Sequence, residues 1–165
     1  MTVRNAKQYG ARVPEIGKPL RDHWIYLGQN PDSPEDDYSL EPAAGAIGIT
    51  TWDKGEEHAA DLEAQSHKDV HQPTDAELDD IFNKIVEDNR NDAAQLVTEY
   101  LSRALLDNMD EDDPAGFAGW YWSKTPHATN PDVAHRQSFC GGGNSWAYKN
   151  SYATVRCVRL EPHRP

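Results

Sequence analysis

The chain has 165 residues, and its 16 Lys and Arg against 28 Asp and Glu give a formal charge of −12. That length suits one domain burying roughly 70% of its unfolded surface, and the acidity disfavours nucleic acid and anionic membrane as partners while favouring a basic protein surface. No apolar run reaches the length of a membrane span, and the first ten residues, Met1 to Gly10, lack the apolar centre of a signal peptide, so the expected location is cytoplasmic or virion-associated.

Residues 1–20 carry Gly10, Pro14, Gly17 and Pro19 among polar residues and read as an irregular lead-in. The domain proper is expected over 21–160. His23 to Leu27 is rich in β-formers and reads as a strand. Gln29 to Asp37, with Pro31 and Pro34, reads as a loop, Tyr38 to Pro42 as a weak strand, and Ala46 to Thr50 as a strand or turn. Thr51 is placed to cap a helix from Trp52 to about Ser66 that turns Trp52, Ala59 and Leu62 to the core, with Gly55 weakening it slightly. His67 to His71 reads as a loop. Thr74 and Glu77 form the two halves of a capping box. The apolar stripe Leu78, Ile81, Phe82, Ile85 and Val86 carries the helix that follows to about Asp88.

A further helix is expected over Ala93 to Met109, within a helical stretch near 91–113. The acidic residues Asp107, Asp110, Glu111, Asp112 and Asp113 oppose the dipole at its end and mark a helix stop with an exposed loop. From Gly116 to Arg159 the chain turns to β-structure. Trp120, Tyr121 and Trp122 suit a strand covered on both faces. Arg136 to Cys140, Ser145 to Lys149 and Ala153 to Arg159 read as a meander turning at Gly141 to Gly143 and at Asn150 and Ser151. The last of these strands has no clean parity, so its faces stay unassigned.

Three stretches stand in a familiar order: Trp52 to Ala60; His71 to Leu78, running into Phe82 and Asn83; and Gly119 to Ser123 with the closing Val155-Arg156-Cys157-Val158-Arg159. This pattern resembles the C-type-lectin-like domain family named for the C-terminal domain of the Legionella collagen-like adhesin, a relative of the Fibrobacter succinogenes major paralogous domain. The second motif departs from the family's Trp-Arg-Leu/Val-Pro-Thr-x-x-Glu-Leu in lacking the tryptophan and arginine. The family's Arg-Phe-Ser-Asp-Gly is replaced by Gln137-Ser138-Phe139-Cys140-Gly141. The resemblance implies an α+β, C-type-lectin-like fold with two to three helices flanking short antiparallel sheets and with neighbouring termini. It implies display rather than chemistry, as in adhesins, phage receptor-binding tips and the variable proteins of diversity-generating retroelements. The positions equivalent to their exposed residues are Asn144, Ser145, Trp146, Tyr148, Asn150 and Tyr152, a composition suited to adaptable binding on rigid aromatic anchors. The alternative is that Trp146 and Tyr148 belong to a strand core.

Chemical motifs are sparse. The calcium and sugar signatures of lectins are missing, and Asn130-Pro131-Asp132 reads as a turn. The run Asp110 to Asp113 lacks the spacing of a calcium loop. His58, His67 and His71, with Glu57 and Asp61 nearby, lack a zinc motif and read as surface histidines. Cys140 beside three glycines, near His127 or His135, could be an exposed thiol, but no arrangement activates it. Cys140 and Cys157 lie in neighbouring expected strands, which permits a bridge or two reduced thiols. No cofactor and no metal is expected. The expected function is a non-enzymatic protein-binding module encoded by a phage or mobile element. The alternative is an acidic inhibitor or decoy, anti-CRISPR-like, that docks on a basic nucleic-acid-binding complex. It would act through Asp107 to Asp113, with Asp32, Glu35, Asp36 and Asp37 and then Glu56, Glu57 and Asp61 as further patches.

Overall fold

The computed structural model describes residues 15–42, 46–66, 69–90, 119–139 and 142–162. In chain order these form β1 (Ile25–Gln29), β2 (Asp36–Leu40), β3 (Gly48–Thr50), α1 (Trp52–Ser66), β4 (Val70–His71) and α2 (Asp75–Arg90). Further along the chain come β5 (Trp120–Pro126), β6 (Val133–Ser138), β7 (Asn144–Tyr148), β8 (Ala153–Val155) and β9 (Val158–Pro162). The architecture is α+β, with one sheet ordered β1-β2-β9-β4 and a second ordered β3-β8-β5-β6-β7. All pairings are antiparallel except that of β5 with β8. The strands nearest the two ends, β1 and β9, both pair with β2.

Both helices start where the caps place them. Glu77 N–H donates to Thr74 Oγ1 at 3.1 Å and Thr74 N–H donates to Glu77 Oε1 at 2.9 Å, a reciprocal capping box. Leu78 and Ile81 of the apolar stripe are buried in one core with Ile25, Leu27, Tyr38, Leu40, Tyr121, Phe139 and Val158. A second core gathers Trp24, Ala59, Val70, Trp122, Ala134, Ala147, Ala153, Val155 and Cys157, with Trp52 and Leu62 packed at its edge. Tyr121 and Trp122 enter different cores because successive strand residues point to opposite faces. β5 is therefore covered on both sides, as its three bulky residues imply.

The final β-region is not a meander. After β7 the Lys149 N–H donates to the Asp132 carbonyl at 2.8 Å, and the Lys149 carbonyl accepts the Trp52 N–H at 3.1 Å. These bonds hold the turn against the start of α1, so the next strand, β8, lands between β3 and β5 instead of beside β7. The expected last strand then splits. Glu41 holds the link between β8 and β9: its N–H donates to the Cys157 carbonyl at 2.9 Å, and its carboxylate accepts the Cys157 N–H at 3.0 Å. The chain crosses there from the second sheet to the first, which explains why 153–159 is buried throughout and shows no parity.

Other boundaries also differ, β6 among them, which runs Val133–Ser138 instead of the expected Arg136 to Cys140. Val70 and His71, expected in a loop, pair with Arg159 and Val158 as β4. Asp36 and Asp37 belong to β2, opposite Pro162 and Glu161. His23 takes a left-handed conformation, φ 74°, in a turn that delays β1 to Ile25. The expected helix Ala93 to Met109 lies outside the described residues.

Candidate functional site

β7 is the outer strand of the second sheet and pairs only with β6 among the described strands. Its register sets Asn144 opposite Gln137, Trp146 opposite His135 and Tyr148 opposite Val133. These residues share one sheet face. α2 covers that face at its Gln137 and Tyr121 end, where Gln137 Nε2 reaches Asp79 Oδ1 at 3.5 Å. The far end is open: Trp146 is 46% exposed and Tyr148 65%. Tyr152, beyond the next turn, is 51% exposed, and Asn144 and Asn150 are exposed as well. The reading of Trp146 and Tyr148 as strand core is thereby excluded. Ser145 alternates to the other face, opposite Arg136, and is half-buried.

Trp146 is held rather than loose. The His127 ring stands edge-on to it at 4.7 Å and 76°, and the His135 ring at 5.6 Å and 69°. Buried His135 donates from Nε2 to Asn144 Oδ1 at 2.7 Å, which fixes the amide next to the indole. A bare aromatic pair two residues apart, braced from below and flanked by amides, has the make-up of a rigid anchor with adaptable polar neighbours. The sequence offered the residue types but not this bracing, since His135 meets Trp146 through the β6–β7 register and His127 reaches it from the β5–β6 loop.

The remaining sites are polar and buried. His58 and His71, expected at the surface, each have a side chain only 14% exposed. His58 Nε2 lies 2.6 Å from Glu41 Oε2, a hydrogen bond that raises its pKa. His71 Nε2 contacts Glu77, while burial and the Glu41 charge push the Cys157 thiol well up. Cys157 is a free thiol. Glu41, His58 and Cys157 bring three possible ligand atoms within 4.8 Å of one another. Their sequence separation hid the group, because it forms only where β2, α1 and the β8–β9 link converge.

Cys140 lies outside the described residues, as do Asp107, Asp110, Glu111, Asp112 and Asp113. Asp37, counted on an acidic surface patch, is buried in β2 and accepts the Tyr26 hydroxyl at 2.7 Å. Asp32 accepts the Thr74 hydroxyl. The first acidic patch is therefore partly spent on internal bonds. No helix among the described residues is long and apolar enough to cross a membrane.

Two helices and two mostly antiparallel sheets among the described residues make the fold α+β, and its family is of the binding-module type. The family model of the Lcl C-terminal domain matches residues 29–159, and the chain belongs to that family. No curated protein matches it. The closing motif shared with the family is structural here. Arg159 lies over the Trp24 ring at 4.4 Å and pairs with Asp22 and Glu161, each at 2.6 Å, and the Arg156 Nε donates to the Glu41 carbonyl at 3.2 Å.

Proposed function

We propose that the protein is a non-enzymatic protein-binding module of the receptor-binding or display type, on a C-type-lectin-like scaffold, that engages its partner through the open face of β7. The single observation that carries this reading is the exposure of Trp146 and Tyr148 on one face of an edge strand, with Asn144 fixed beside them. Large aromatics cost little rotamer entropy on binding and bury much area, so they supply most of the energy in such contacts. Family membership supports the binding-module part of the reading. Asn150 and Tyr152 extend the surface past the β7 turn.

The test is capture of the partner by the intact protein and by a Trp146→Ala/Tyr148→Ala variant, each washed at low and high salt. An aromatic-anchored partner stays through the high-salt wash and disappears with the variant. A catch released by salt and equal for both proteins overturns the reading and favours an acidic docking surface.

A further inference from the structure

Glu41 follows β2, His58 sits in the middle of α1, and Cys157 lies in the link between β8 and β9. Nothing in their spacing, 17 residues and then 99, marks them as a set. In the fold, a Glu41 carboxylate oxygen, a His58 ring nitrogen and the Cys157 sulfur lie within 4.8 Å of one another. Glu41 and Cys157 are buried, and His58 reaches the rim.

The geometry points to a binding site for one divalent transition-metal ion of the zinc class, held by Cys157 Sγ, His58 Nε2 and Glu41 Oε2. The donor set selects that class. Calcium and magnesium take oxygen ligands, whereas thiolate and imidazole together suit zinc and its close neighbours. Three protein donors leave one position for water, reached from the side on which His58 is partly exposed. Outer support is in place: Glu41 Oε1 accepts the Cys157 N–H at 3.0 Å, which leaves Oε2 turned to His58. On coordination the thiol proton leaves to solvent, and so does the Nε2 proton that His58 donates to Glu41 over 2.6 Å, the neutral imidazole keeping its proton on Nδ1 and presenting the freed Nε2 lone pair.

Such an ion would tie the end of β2, the centre of α1 and the sheet-to-sheet crossing at one point. The site is apart from the β7 face, so it stands or falls independently of the display reading.

The test uses a Cys140→Ser background, in which Cys157 is the sole thiol. The metal-free protein is titrated with Co²⁺ and then with Zn²⁺. The expected result is one equivalent of bound Co²⁺ with a sulfur-to-metal charge-transfer band, bleached by Zn²⁺, and a raised melting temperature. Cys157→Ser should abolish the band, and His58→Gln should weaken binding by at least about tenfold. A titration without the charge-transfer band overturns the proposal, and so does affinity unchanged in His58→Gln. Should Cys157→Ser fail to fold, His58→Gln decides alone, because His58 stands at the rim of the core.

Discussion

His71 Nε2 lies 2.9 Å from Glu77 Oε1 and 3.1 Å from Oε2, so one imidazole closes over a buried carboxylate that is itself capping α2. Glu77 also accepts the Thr74 N–H and, at 2.7 Å, the Asn30 side-chain amide. Asn30 Oδ1 in turn accepts the N–H groups of Asp32 and Ser33. One carboxylate thus joins β4, the start of α2 and the β1–β2 loop.

This pair sets a pH window for stability. Burial pulls the His71 pKa down, but the Glu77 hydrogen bond and nearby negative charges outweigh it, and the net shift is upward from 6.5. Burial pushes Glu77 up, but the bonds from His71, Thr74 and Asn30 outweigh it, and the net shift is downward from 4.5. The His71 contribution is complete below 6.5 and is lost as pH rises through its folded pKa. The Glu77 contribution is complete above 4.5 and is lost as pH falls through its folded pKa. Urea midpoints should therefore be higher at about pH 5.5 than at about pH 8.5. His71→Gln should lower the first midpoint and shrink the difference; His58, also shifted upward, keeps part of it. A difference of unchanged size in His71→Gln contradicts the assignment.

The cap itself has a graded cost. Thr74→Ala removes one capping acceptor and should destabilise by about 1 kcal/mol. Glu77→Ala strands the Asn30 amide, the Thr74 N–H and His71 together, at about 1–3 kcal/mol for each buried group left without a partner. Chemical denaturation should rank Glu77→Ala well below Thr74→Ala, and equal losses would mean that the network is not closed as described.

Gly55 is a close approach as well as a weak helix position. A Cβ there would fall 2.5 Å from Gln72 Oε1 and 2.7 Å from its Cδ, and Gln72 is buried with its amide donating to the Trp52 carbonyl at 3.2 Å. Helix propensity favours Ala by about 1 kcal/mol, yet overpacking costs about 1–3 kcal/mol, so Gly55→Ala should be a net loss. In a Gln72→Ala background the clash is gone and the same change should be neutral or stabilising. A thermodynamic cycle on the two sites reads this coupling directly.

The tryptophans should differ in cost. Trp122 is fully buried and donates from Nε1 to the Thr50 carbonyl at 2.9 Å, so Trp122→Ala should cost about 3–5 kcal/mol. Tyr148→Ala on the open face should stay within about 0.5 kcal/mol of the parent, and Trp146→Ala, which gives up its contacts with the His127 and His135 rings, should cost about 1–3 kcal/mol, less than Trp122→Ala. A loss as large as that of Trp122→Ala in either would return those side chains to a structural role.

Local signals carried most of the elements. The capping box, the α2 stripe and the bulky Trp120 to Trp122 run name their structures through short-range chemistry. The aromatic positions of β7 follow from the family resemblance, with strand core as the alternative, and their exposure depends on where α2 stops covering the sheet. What stayed hidden is long-range. The β8 insertion between β3 and β5 is driven by bonds from Lys149 to Asp132 and Trp52, far apart in sequence. The Glu41–His58–Cys157 cluster has no spacing motif because each member comes from a different segment. The Val70–His71 strand is two residues long, too short for any periodicity to show.

The most direct test of the binding surface places a photoreactive residue at Trp146 and, separately, at exposed Glu35 in the acidic β1–β2 loop, then irradiates each protein in a lysate of its source cells. The account predicts that one partner is crosslinked from position 146 and not from position 35, with the same partner lost in Tyr148→Ala. Crosslinking from position 35 alone, or equally from both, would contradict it.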